Sequence, residues 1–205
     1  MFAALHIGNH MFLVAGPQVY NKVQDVVNNI YRLPVIEPLL IFFICSQAFI
    51  GLFLVIRSLR QKPKRPFWRR DFWEKVQIIS GLVFFYFIAE HLWALGLVRW
   101  FTTLKTDFYW PASVMNDAPF VYYFTPYYFL GVLALFTHIG IGLRYGALDA
   151  GRGKLGNAIA FTAMIIGALC GLVIVLSLAG VFYNIHLSDE WVGYLKSFYP
   201  AYIAK

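Results

Sequence analysis

Four stretches of the chain, residues 38–56, 76–98, 120–143 and 155–183, run on without a lysine, arginine or aspartate, and Glu90 is the single carboxylate in any of them. A helix that crosses a bilayer needs about 20 predominantly apolar residues, because hydrocarbon offers no water to satisfy an open backbone. Composition points the same way. Of 205 residues 60% are hydrophobic and 13% charged, where an average soluble domain carries about 25% charged residues. The formal net charge of +7 lies in short polar gaps and not in a patch or stripe, so a nucleic-acid partner is excluded.

A fifth apolar stretch, residues 1–16, is shorter: at about 1.5 Å per residue it reaches only some 24 Å. It is expected to be the outer half of a helix whose beginning is missing, or one that starts unusually deep. No basic segment precedes it, and His6 and His10 interrupt it, so a cleaved signal peptide is not expected. The predicted architecture is all-α: a polytopic membrane protein, one transmembrane domain over 1–205, with helices near 1–16, 36–58, 74–98, 120–146 and 155–184. Cys45 and Cys170 lie inside apolar runs with no CxxC spacing, and so are expected to be small buried residues, not a redox pair.

Orientation follows from where lysine and arginine fall. Arg57, Arg60, Lys62, Lys64, Arg65, Arg69, Arg70 and Lys75 occupy one gap, and Arg144, Arg152 and Lys154 another two spans later. These gaps are expected to be cytoplasmic, with the N-terminus inside and the C-terminus outside. Lys22, Arg32, Arg99, Lys105, Lys196 and Lys205 are scattered on the other side. Pro34, Pro38, Pro66, Pro111, Pro119 and Pro126, with Trp68, Trp93, Trp100, Trp110 and Trp191, fall at or near the expected ends, as helix starts and an interfacial aromatic belt require.

Ionisable residues inside a span are expensive and mark function. Here they are His6, His10, Glu90, His91 and His138, with Gln47 as an uncharged member. Counting back from the helix ends places His6 and His91 at one level in the outer half, and Gln47 and His138 at another in the inner half. Two such levels on different helices match a stacked pair of b-type haem sites, each held by imidazoles from either side. Gly131 lies seven residues before His138, on the same face and about 10 Å along the axis; Ser80 lies eleven before His91, about 16 Å along. Each is a small residue where a flat ring could approach. Single intramembrane histidines also serve as interhelical hydrogen-bonding groups or as parts of an ion or proton pathway, and those alternatives stay open at this stage.

The strings LHIGNHMFLVAGPQVYNK, EPLLIFFICSQAFIGL, QIISGLVFFYFIAEHLWAL and PYYFLGVLALFTHIGIGL resemble the five-helix cytochrome b anchor of succinate dehydrogenase and quinol:fumarate reductase. The most specific portion is Ser80–Gly81 followed ten residues later by His91. In that family the first and third helices supply the distal haem histidines and the second and fourth the proximal ones. The resemblance therefore implies His6 and His91 as the distal pair and His138 as a proximal ligand. The second position departs from the pattern, because Gln47 stands where a histidine is expected and an amide is a poor haem ligand. The proximal site is then empty, five-coordinate through His138, or completed by another group, so one haem b is expected and a second is open. His10, one turn from His6, is not a ligand position in the family; a hydrogen bond to a haem propionate or quinone is its implied role. The family's first helix also carries more residues before its histidine than the five present here.

What the resemblance implies functionally is a membrane anchor, not itself binding dicarboxylate, that joins a flavoprotein subunit and an iron–sulfur subunit on the cytoplasmic side to a membrane quinone, menaquinone by expectation. Glu37 and Glu90 are the implied quinone-linked proton carriers. The membrane is expected to be the bacterial cytoplasmic membrane, ahead of the mitochondrial inner membrane. Competing expectations are a cytochrome b anchor of another membrane oxidoreductase, a stand-alone transmembrane cytochrome b electron carrier, and a haem-free transporter or structural subunit.

Overall fold

The computed structural model describes residues 2–60 and 66–203. The basic positions Lys62, Lys64, Arg65 and Lys205, and the first residue of the expected opening helix, lie outside the described residues. Among the described residues every regular element is helical: α1 (Phe2–Met11), α2 (Pro17–Tyr31), α3 (Ile36–Arg60), α4 (Phe72–Phe101), α5 (Tyr109–Ser113), α6 (Phe120–Asp149), α7 (Gly153–Leu178) and α8 (Asp189–Phe198). Four of these, α3, α4, α6 and α7, are long and apolar enough to cross a membrane. They coincide with the four charge-free runs.

The ends of the chain differ from expectation. The first apolar stretch is a ten-residue helix followed by a 3₁₀ turn over Phe12–Ala15, so it does not reach spanning length. After Gly16 the chain enters α2 with Pro17 at the first helical position, where a missing N–H costs nothing. This helix is absent from the sequence reading because Gln18, Asn21, Lys22, Gln24 and Asp25 make it too polar to register as a span. α7 stops at Leu178, earlier than the expected 184. Gly180 adopts φ 74°, its N–H bonds Ser177 O at 3.2 Å, and the Val181 N–H reaches back to Leu176 O at 3.0 Å. The pair of bonds forms a Schellman stop. Gly151, φ 73°, ends α6 in the same way. The other unanticipated helix, α8, is capped by Ser188, whose hydroxyl oxygen accepts the Trp191 N–H at 3.5 Å, with Asp189 and Glu190 in the first turn where the helix dipole favours them.

The chain divides into two compact units. The first comprises Met1–Ile30, Ala89–Phe129 and Cys170–Lys205; the second comprises Tyr31–Ile88 and Leu130–Leu169. Within the second, α6 and α7 meet through small residues. A methyl group built on Gly140 would lie 2.5 Å from Ala163 Cβ, and one built on Gly167 2.6 Å from Phe136 Cβ. Gly156, Ala160, Ala163 and Gly167 recur every three or four residues and so share one face of α7. Close backbone approach of this kind is how helices gain dispersion contact in a medium with no hydrophobic drive between them. α3, by contrast, has no buried residue.

At the start of α4 the second unit is held by arginines. Arg70 is buried; it donates to Ser58 Oγ and to Ser58 O, each at 3.1 Å, and pairs with Glu74. Arg144 donates to Asn157 Oδ1 at 2.8 Å, and its guanidinium lies 4.5 Å from the Trp73 ring centre. Two charges expected to serve topology are thus also internal ties. If the small-residue face fixes the α6–α7 distance, Gly140→Val and Gly167→Val each lower stability by about 1–3 kcal/mol through overpacking. In a detergent melting experiment both should unfold earlier than wild type, whereas Gly142→Val, where a Cβ meets nothing within 4 Å, should leave the midpoint in place.

Candidate functional site

The first unit gathers the aromatic and imidazole groups of α1, α2, α4 and α5. His6 and His10 sit one turn apart on α1, and their Nε2 atoms are 3.2 Å apart. The Tyr20 hydroxyl of α2 lies 3.4 Å from His10 Nδ1. Burial, and behind it the Asp107 carboxylate, hold the Tyr20 phenol well above its ordinary range, so Tyr20 keeps its proton and can donate it to His10. His10 then carries its proton on Nε2 and gives it to His6 Nε2. The result is a line of hydrogen bonds from Tyr20 through His10 to His6. His91 of α4 faces His6 with ring centres 6.2 Å apart and planes at 75°, and its other side packs against Trp110 at 5.2 Å.

The sequence pairing of His6 with His91 therefore corresponds to two imidazoles on different helices that face one another. His6 and His91, imidazoles from two helices with ring centres 6.2 Å apart, are the residues that could hold a haem iron. No group of three or more His, Cys, Asp or Glu side chains that could hold a metal ion occurs among the described residues.

Glu90 and Tyr123 form the second polar feature of this unit. The Tyr123 hydroxyl donates to Glu90 Oε2 at 2.5 Å, tying α4 to α6 through a carboxyl–phenol pair. α2 is anchored beside the histidines by amides: Asn21 Oδ1 accepts the Phe108 N–H, and the Gln24 amide donates to Thr106 O, both at 2.9 Å.

The remaining site candidates belong to the second unit. Glu37 is half-buried in the first turn of α3. Gln47 is exposed on the same helix. Gly131 lies beneath Phe87, whose Cδ2 would be 2.1 Å from an added Cβ. Ser80 is buried and its hydroxyl donates to Gln77 O at 3.2 Å. His138 meets a residue the sequence reading missed: its Nδ1 lies 3.3 Å from Gln77 O, and its Nε2 lies 3.4 Å from the Gln77 amide nitrogen. Gln77 stands at the edge of an apolar run, one turn before Ser80 and Gly81, where an amide looks solvated until the opposing helix is placed. Tyr20 carried no signal either, because its helix went unrecognised.

Comparison of the chain with protein-family models, curated proteins and solved structures gave no match. Removing the amides that seat α2 tests whether it frames the histidine cluster: Asn21→Ala and Gln24→Ala should each cost about 1 kcal/mol and speed protease cleavage within residues 102–108. Unchanged cleavage rates would show that α2 is seated by other contacts.

Proposed function

We propose that this chain is a haem b membrane anchor of the succinate dehydrogenase/fumarate reductase type. In this reading it passes electrons between an iron–sulfur subunit and a membrane quinone, menaquinone by expectation, while a flavoprotein subunit carries out the dicarboxylate chemistry. The observation that carries the proposal is the facing pair His6 and His91, 6.2 Å between ring centres. These two imidazoles would hold the haem, whose contribution when bound is a one-electron carrier at a fixed depth. The His6 nitrogen now bonded to His10 is the one that would serve as ligand; His10 keeps Tyr20 as its own partner and lies beside the site as a hydrogen-bonding neighbour.

Proton handling falls to the chain's own carboxyl and phenol groups. Glu90 accepts a hydrogen bond from the Tyr123 hydroxyl within the span, and Glu37 offers a second carboxyl at the start of α3. In this reading the partner subunits meet the basic gaps, on the cytoplasmic side of a bacterial cytoplasmic membrane. One observation favours a different reading, a haem-free structural subunit: His6, His10 and His138 already have hydrogen-bond partners within the chain.

A reduced-minus-oxidised spectrum of the affinity-purified chain separates the two. Wild type should show b-type bands and bring a flavin-bearing subunit with it; His6→Ala and His91→Ala should lose the bands. A bandless wild type would remove the cytochrome reading. For Glu37, substitution by Gln is expected to slow quinone turnover several-fold with the haem spectrum intact, and turnover at the wild-type rate would remove that role.

A further inference from the structure

We infer that His138 is an interhelical clasp with Gln77 and not a haem ligand, so that the chain carries one haem where a two-haem anchor carries two. The inference rests on the haem reading of His6 and His91 and concerns the other half of the same pattern.

The first observation is where the imidazoles are. The chain has five histidines; His6, His10, His91 and His186 fall in the first unit and only His138 in the second. Within its own unit His138 has no second imidazole to oppose it. Gln47, which stands at the family's ligand position, is on the exposed side of α3, a helix with no buried residue.

The second observation is what occupies the two nitrogens of His138. A carbonyl can only accept, so the 3.3 Å contact with Gln77 O puts the ring proton on Nδ1. The lone pair is then on Nε2, and the Gln77 amide must turn its NH₂ toward it, at 3.4 Å. One residue of α4 therefore engages both ring nitrogens of His138, Nδ1 through its backbone carbonyl and Nε2 through its side-chain amide.

The third observation is space. An added Cβ on Gly81 would stand 3.0 Å from His138 Cε1 and 3.2 Å from Nδ1, so the ring lies directly against the α4 backbone. Ser80, one of the two small residues read as room for a flat ring, is turned back onto Gln77 O. The other, Gly131, is covered by Phe87. The residues of this site do not fit a second macrocycle; they fit a histidine packed into a glycine notch and tied to one glutamine.

Haem-to-polypeptide stoichiometry decides the matter. Pyridine haemochrome absorbance set against quantitative amino-acid analysis of the purified complex should give one haem per chain. His138→Leu should retain that haem with unchanged low-spin bis-imidazole resonances, and should melt earlier than wild type. Gln77→Leu removes the clasp amide without touching an imidazole, and keeps the test open if the His138 variant does not fold: one haem and an earlier melt are expected again. Two haems per wild-type chain, or a haem lost with the His138 or Gln77 substitution, would overturn the inference while leaving the anchor reading intact. A wild type without haem would overturn the anchor reading and this inference with it.

Discussion

A polar group in hydrocarbon must find its partner inside the protein, because the solvent supplies none. Most of what distinguishes this chain from a generic bundle of apolar helices follows from that constraint. His138 finds both its partners on Gln77, Glu90 finds Tyr123, and His6 is joined through His10 to Tyr20. The first two ties each link α4 to α6; the third links α1 to α2. Each works as a cross-brace as well as a potential site. Chemistry and architecture here share the same few side chains, so substituting one of them is expected to disturb both.

The two histidine environments show how residue number alone decides what a pocket can become. Around His6 and His91 there are imidazoles from two helices and an aromatic wall of Phe2 and Trp110. Around His138 there is one imidazole, one amide and a glycine backbone. A metal bound from both sides needs two good donors at a fixed separation, which the first environment offers. In the second, a carbonyl that fixes the tautomer and an amide that takes the lone pair make a closed hydrogen-bonded unit. The same residue type thus meets an opposing imidazole in one place and a single glutamine in the other.

How much of this could be read in advance depends on what kind of pattern carried it. The spans α3, α4, α6 and α7 were legible because freedom from charge over a bilayer's thickness is a property of one segment alone. Pairing His6 with His91 was legible because helical rise converts position into depth. Gln77 was not, since its importance lies in a residue 61 positions away. The small-residue face of α7 was hidden for another reason: Gly156, Ala160, Ala163 and Gly167 count as ordinary apolar positions until α6 is laid against them. α2 failed to register because it is too polar to read as a span, and the contacts that seat it, Tyr20 against Phe108 and two amides bonded to the 106–108 backbone, join residues more than 80 positions apart. Gln47, at the family's second-helix ligand position, is exposed on α3, a placement that position within a resemblance does not reveal.

The junction of α6 and α7 bears on biogenesis. The two helices are consecutive, joined through Ala150, Gly151 and Arg152, and their glycine-lined contact pairs residues such as Gly140 with Ala163 that are near in sequence. Contacts this local cost little loop-closure entropy. The pair can leave the insertion machinery as a finished hairpin, with its stop signal and its mating surface already encoded between residues 129 and 171.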